Sequence, residues 1–408
     1  MEIIEGGVTS ATGFMAASTA AGIKYKDRTD MAMVYSEAPC LAAGTFTTNV
    51  VKAAPVLWDK KNVEEYPVAQ AIVINAGIAN ACTGEEGLKY CKETAIAAGA
   101  ALKIPMESVL VASTGVIGKQ LPIEKIVAGT KVLATKLKEG KEAGTDAAKA
   151  IMTTDTHKKE IAVALTLGGK KAIIGGMCKG SGMIHPNMCT MLGFITTDAD
   201  ISKELLVKAL REDIKDTFNM VSVDGDTSTN DTVLFLANGL AGNEKIVDEN
   251  SEDYTEFKKA LRLVTEFLAK NIAADGEGAT KLLTVTVVNS KTKAAAKVLA
   301  KSVITSSLTK AAVYGNDANW GRILCALGYS GEDFDPYKVD ICVTGDGETL
   351  KLVENGMATD YSEEVATKLL SSKEVVITAD MKDGCETATA WGCDLTYDYV
   401  KINADYRS

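Results

Sequence analysis

Residues 175–199 read GGMCKGSGMIHPNMCTMLGFITTDA. A glycine-rich turn, Lys179–Gly182, is followed by Pro186, and Thr190 then leads an apolar run, Met191–Ile195, of strand composition. Two readings fit this order. In the plain one, a loop enters a buried strand and Thr190 is an ordinary β-branched strand residue. In the chemical one, a threonine held at a strained loop-to-strand junction attacks the carbonyl before it, here that of Cys189. The resulting ester is cut by water, and the freed α-amine beside the hydroxyl can act as its general base without a histidine.

Working outward, short β-branched runs alternate with helical patterns. Lys171–Gly175, Glu160–Leu167 and Gln70–Asn75 read as strands. Ile126, Val127, Val132, Leu133 and Leu137 recur at helical spacing, so Pro122–Leu137 should be an amphipathic helix. Ile201–Phe218 repeats the pattern with Leu205, Leu206, Ala209, Leu210 and Ile214, capped by Asp200 or Ser202. The texture changes after Lys281: Leu282–Asn289, Val339–Val343 and Val375–Ala379 are strand-like, with a helix at Ser362–Leu370, so a boundary is expected near residue 280. The class is α/β, in layers whose strand order the pattern leaves open.

At 408 residues the chain is too long for one ordinary core, and two or three domains are expected. The 46% hydrophobic and 24% charged residues are those of a folded globular protein. A net charge of −10, from 54 acidic and 44 basic residues, argues against nucleic acid or an anionic membrane as partner. The first residues lack a basic segment followed by a long apolar stretch, and no run reaches about 18 apolar residues, so neither a secretory signal nor a membrane span is expected. Nine cysteines without a C-x-x-C pair read as reduced thiols, which points to the cytoplasm. The two histidines, His157 and His185, are too few for a His-rich metal site, and a His-based triad would have to use one of them.

Two further segments could carry chemistry. Ala112–Gly118 (ASTGVIG) is either a tight turn before the helix near Pro122 or a loop presenting N–H groups and a hydroxyl to a developing oxyanion. Ala274–Lys281 (ADGEGATK) sets Glu277 between glycines, either as a solvated turn or as a carboxylate that binds an ammonium or moves a proton. The polar tail Ile402–Ser408 (INADYRS) would ordinarily fray.

Together these segments resemble the ornithine acetyltransferase family, also called ArgJ or glutamate N-acetyltransferase. The resemblance is full-length: GGVTSATGF at the start, TFTTN at 45–49, NAG and ANACTG within 75–84, STGVIG, IMTTDT at 151–156, KGSGMI, CTML, VDGDTSTND at 223–231, DGEGATK, YGNDANWGRI at 314–323 and INADYRS. It implies a layered α-β-β-α sandwich with a smaller C-terminal α/β domain. After self-cleavage 1–189 would form one chain, with 190–280 completing the catalytic domain and 281–408 forming the C-terminal domain, its tail reaching the site.

By resemblance, Thr190 cleaves the precursor at Cys189–Thr190 and later carries the acetyl group, and Thr114 and Gly115 are the oxyanion-hole pair. Thr153, Lys179, Thr190, Glu277, Asn403 and Ser408 match substrate-binding positions. Cys189 stands where the family usually has alanine and Ser408 where it usually has threonine; both keep the group that matters, a carbonyl and a hydroxyl. The implied reaction is ping-pong transfer of acetyl from N-acetyl-ornithine to glutamate in arginine biosynthesis, by an assembly of two alpha and two beta chains and with no resident cofactor. Acetyl-CoA is a possible second donor, with Lys119, Lys158 and Lys159 near candidate loops to offset the acidic charge. The competing readings are an aminopeptidase or amidase on the same self-processing scaffold, and a binding protein without activity.

Overall fold

A computed structural model describes residues 1–24, 26, 28–185 and 191–405. They divide into two compact units. The first takes in the described residues of Met1–Gly180, Pro186–Asn219 and Thr227–Leu268; the second holds Ser181–His185, Met220–Asp226 and the described residues of Ala269–Ser408.

The first unit is built on strands in the order Glu2–Ile4, Lys159–Leu167, Lys170–Lys179, Leu192–Thr197, Thr232–Ala237, Met31–Phe46, Ala69–Ile78 and Val109–Val116, with Phe14–Thr19 paired to Met31–Phe46 off that path. Met31–Phe46 does double duty. Its first residues pair with Phe14–Thr19 and Ala69–Ile78, the register shifts between Tyr35 and Cys40, and Leu41–Phe46 then pairs antiparallel with Thr232–Ala237. That bend folds one sheet into two facing halves.

Side-chain alternation along the strands then sorts the layers. On one half, Met31, Met33, Ala71, Val73, Val109 and Val111 pack with Cys91, Ala95, Ala98, Ile126 and Leu133 of the helices Gly84–Leu102 and Ile123–Lys136. The intervening residues Ala32, Val34, Ile72, Ile74, Leu110 and Ala112 face inward and meet Met177, Leu192, Phe194, Leu234 and Leu236 of the other half. The outer side of that second half is covered by the helix Glu252–Ala274, whose Phe257 stacks on Phe235 at 6.0 Å between ring centroids. The layering is therefore helix, sheet, sheet, helix, as expected.

Local signals placed most elements well. The strands Lys159–Leu167 and Lys170–Lys179 form a hairpin through Gly168–Gly169, and the helix near Pro122 runs Ile123–Lys136. Ser202, not Asp200, caps the next helix, its Oγ accepting the Leu205 N–H at 3.3 Å. That helix stops at Ile214, short of the expected Phe218. The Thr217 hydroxyl donates to the Asp213 carbonyl at 3.0 Å, the kind of local side-chain bond that competes with helical continuation.

In the second unit the sheet order is Met357–Ala358, Glu348–Glu354, Asp340–Gly345, Glu374–Asp380, Leu282–Ser290, Glu386–Cys393 and Val221–Ser222. The helix Lys293–Thr305 packs on it through Ala296, Leu299, Ala300 and Val303. Of the tail 402–408, residues 402–404 are helical rather than frayed, and 406–408 lie outside the described residues. Tyr397–Ala404 is a helix, capped by the Thr396 hydroxyl oxygen, which accepts from Tyr399 N–H at 3.3 Å.

Phe235 is fully buried and its ring is matched to Phe257. Phe235→Ala should cost about 3–5 kcal/mol through the lost burial and the cavity left behind, read as a lowered urea midpoint in chemical unfolding.

Candidate active site

Thr114 and Gly115 lie near the end of the strand Val109–Val116, which pairs parallel with Ala69–Ile78. Register is even from Ala71–Val109 to Gly77–Gly115 and then shifts, so that Ile78 faces both Thr114 and Val116. Two backbones meet there more closely than side chains allow. Gly115 has φ +129°, and a Cβ on it would lie 2.2 Å from the Gly77 carbonyl carbon. The segment is thus an irregular strand end, not the tight turn that the sequence also allowed.

Lys179, the last residue of its strand, brings its ammonium to Thr114. Nζ lies 3.1 Å from Thr114 Oγ1, and both residues are buried. An ammonium has only hydrogens to give, so Thr114 Oγ1 accepts and its own O–H remains available to donate. A cation on the oxygen makes that O–H a stronger donor.

Asp155 anchors the same region. Its Oδ1 accepts from Lys159 Nζ and from Gly180 N–H, each at 2.7 Å, and its Oδ2 accepts from Thr153 N–H at 3.0 Å. Burial works against its ionisation, but Lys159, Lys179 and the Gly180 N–H outweigh it and hold the carboxyl at about 2. The half-buried Thr153 is fixed by this contact through its backbone. Lys159 is itself buried and paired, and Lys158 is bonded to Glu160, so neither is the loose cation that its place in the sequence suggested; Lys119 is exposed.

Asp231 behaves in the opposite way. Full burial pushes its carboxyl well above the usual range despite hydrogen bonds from Ser228 and the charge of Lys179, and its Oδ2 has no hydrogen-bond partner.

In the second unit Glu277 is buried rather than solvated. Its N–H donates to Ser181 O at 3.0 Å, and its Oε2 accepts from Asn403 Nδ2 at 2.8 Å. Gly182 lies against the carboxylate: a Cβ there would stand 2.3 Å from Glu277 Cδ. Asn403 also donates to Tyr399 O, and Ser181 Oγ donates to Asp275 O at 2.6 Å. His185 Nδ1 lies 3.1 Å from Ser222 Oγ; burial and then Lys301 lower the imidazole to about 4, so it is neutral near pH 7.

Cys189, Thr190 and Ser408 lie outside the described residues. Among the described residues no group of three or more His, Cys, Asp or Glu side chains could hold a metal ion, and no helix is long and apolar enough to cross a membrane. Sequence reasoning missed Asp155 and Asp231. Both sit in quoted motifs, IMTTDT and VDGDTSTND, but only burial separates them from solvated acids.

The ArgJ family model matches residues 15–408. The chain belongs to the ArgJ family. It is 53% identical over 401 residues to arginine biosynthesis bifunctional protein ArgJ 1 of Clostridium acetobutylicum, covering 98% of this chain and 97% of that one. It is 50% identical over 408 residues to the ArgJ protein of Caldanaerobacter subterraneus, covering both chains in full. A crystal structure of an ArgJ chain from Bacillus halodurans, 48% identical, matches with a TM-score of 0.50 over 53% of this chain and 99% of that chain.

The Asp155 carboxylate should stabilise this ArgJ fold at neutral pH. Because its folded value lies below the ordinary 3.8, that contribution is present above about pH 4 and is lost as pH falls through about 2. Asp155→Asn leaves buried ammonium groups without a counter-charge and should cost about 3–5 kcal/mol at pH 7. Melting temperatures of the two proteins, compared from pH 7 downward, should converge as the wild-type carboxylate takes up its proton.

Proposed function

We propose that the chain cuts itself between Cys189 and Thr190 and then moves acetyl from N-acetyl-ornithine to glutamate through acetyl-Thr190. The observation that carries this reading is the Lys179–Thr114 contact, in which an ammonium on the Thr114 oxygen leaves the hydroxyl hydrogen to donate beside the irregular backbone of Gly115. Such a donor pair suits a tetrahedral intermediate, whose negative oxygen needs hydrogen bonds already aimed at it.

The steps follow from the residue chemistry. The Thr190 hydroxyl attacks the Cys189 carbonyl, the amide nitrogen leaves as an amine, and water cleaves the ester. The new amine takes the hydroxyl proton as Thr190 attacks the acetyl carbonyl of N-acetyl-ornithine. Thr114 O–H and Gly115 N–H hold the oxyanion, ornithine departs, and the glutamate amine then attacks acetyl-Thr190. Lys179 suits the substrate α-carboxylate, Glu277 with Asn403 suits the ornithine ammonium, and Thr153 and Ser408 complete the binding set. Family membership supports the reaction class. The aligned Bacillus halodurans chain, spanning about half of this one, is the length expected of a cleaved half such as 190–408. The word bifunctional in both relatives' names supports a second donor, which we take to be acetyl-CoA. By family resemblance alone, we take the cleaved halves to stay together as two of each, in the cytoplasm.

Purified protein should run as two chains, the second beginning at Thr190, while Thr190→Ala stays whole; a different N-terminus would overturn the cleavage site. Thr114→Ala should lower kcat by roughly 10²–10³ with little change in KM. Cleaved enzyme given acetyl-CoA and glutamate alone should form N-acetylglutamate. If product appears only with N-acetyl-ornithine, the second donor is excluded, and acetate release independent of glutamate would mark a hydrolase.

A further inference from the structure

The motif VDGDTSTND has no role in the reaction just described, yet its Asn230 reaches the backbone beside Thr114. Asn230 is buried, and every polar atom of its amide is engaged. Nδ2 donates to Ala79 O at 2.6 Å and to Ser113 O at 2.8 Å, and Oδ1 accepts from the Thr229 hydroxyl at 2.6 Å. The two carbonyls belong to the two chain segments that slip out of register at Gly77–Gly115. Ala79 follows the strand Ala69–Ile78, and Ser113 precedes Thr114 in Val109–Val116.

A second brace lies on the same strands. Asn75 Oδ1 accepts from Ser113 Oγ at 2.6 Å, and Asn75 Nδ2 donates to Ile78 O at 2.9 Å. Ser113 is therefore held by both its side chain and its carbonyl. Fixing that carbonyl fixes the peptide plane leading into Thr114, and with it the backbone from which the Thr114 side chain projects.

Asn230 also precedes the strand Thr232–Ala237, which runs parallel to Leu192–Thr197. Thr232 N–H donates to Met191 O at 2.9 Å, and Met191 is bonded to Thr190 in sequence. One amide thus ties the strand of the oxyanion pair to the strand pairing that starts beside the nucleophile's neighbour. We propose that Asn230 is a positioning residue, a clamp that sets the spacing between the oxyanion donors and the strand Leu192–Thr197. This deepens the acetyl-transfer reading and rests on Thr114 and Gly115 being the oxyanion pair.

The clamp acts on geometry, so its loss should be felt in turnover before substrate affinity; a misplacement near 1 Å can cost about 10²-fold. Asn230→Ala removes the amide donor from the Ala79 and Ser113 carbonyls, and Thr229→Val, nearly isosteric, removes only the hydroxyl that orients the amide.

The test measures kcat and KM of Asn230→Ala, Thr229→Val and Thr114→Ala, and of the doubles with Thr114→Ala. Asn230→Ala should lower kcat by about 10–10²-fold with KM within about threefold, and Thr229→Val should lower it less, in the same direction. In the Thr114→Ala background both losses should shrink, because the clamp acts through the donor already removed. Full additivity with Thr114→Ala, or unchanged kcat in a Thr229→Val protein that melts normally, would overturn the clamp. If Asn230→Ala does not fold, Thr229→Val and its double decide the question. If Thr114→Ala itself leaves kcat unchanged, the oxyanion reading fails instead.

Discussion

Asp155 holds one end of the candidate site by gathering two buried cations around one carboxylate. Lys159 bonds it directly, Lys179 acts on it through charge, and Gly180 N–H points at it. A buried ammonium without a counter-charge is costly, so these groups have few other arrangements open to them. The arrangement fixes where the strand Lys170–Lys179 ends and sends Lys179 Nζ toward Thr114. It also fixes the start of the glycine-rich turn, because Gly180 is part of the bonding.

The other constraint is steric. The strands Ala69–Ile78 and Val109–Val116 approach at Gly77 and Gly115 so closely that no side chain fits between them. A regular ladder would not need that approach. The register shift accompanies it; Asn75 binds the Ile78 carbonyl, Asn230 binds those of Ala79 and Ser113, and the Ser113 hydroxyl donates to the Asn75 amide oxygen. Irregular backbone held by side-chain hydrogen bonds would suit the proposed oxyanion pair, since such donors must be aimed before charge develops.

The two buried acids of this unit illustrate how environment assigns roles to like residues. Asp155, surrounded by lysines and N–H groups, is ionised; Asp231, with Ser228 and only the charge of Lys179 to help it, is driven toward its neutral form. Burial is shared, and the number of cationic or N–H partners decides the outcome. Glu277 lies in the second unit, where Gly182 makes room for its carboxylate and Asn403, on the helix Tyr397–Ala404, binds it.

By itself the sequence determined the local elements and the chemistry worth looking for. Apolar β-branched runs and period-3.6 patterns located strands such as Glu160–Leu167, observed as Lys159–Leu167, and helices such as Ile123–Lys136, because those signals depend on neighbours a few residues away. The ordered set of motifs identified the ArgJ family. Tertiary structure alone decided the strand order, the register shift within Met31–Phe46, the burial of Lys159 and the hydrogen bonds of Asn230 to Ala79 and Ser113. It also decided that ASTG is a strand end and that Glu277 is buried. The reason is separation along the chain. Lys179 and Thr114 are 65 residues apart, Asn230 and Ser113 117, and Glu277 and Asn403 126. Nothing in a local window distinguishes a lysine bound for a buried carboxylate from one bound for water until the topology brings its partner to it.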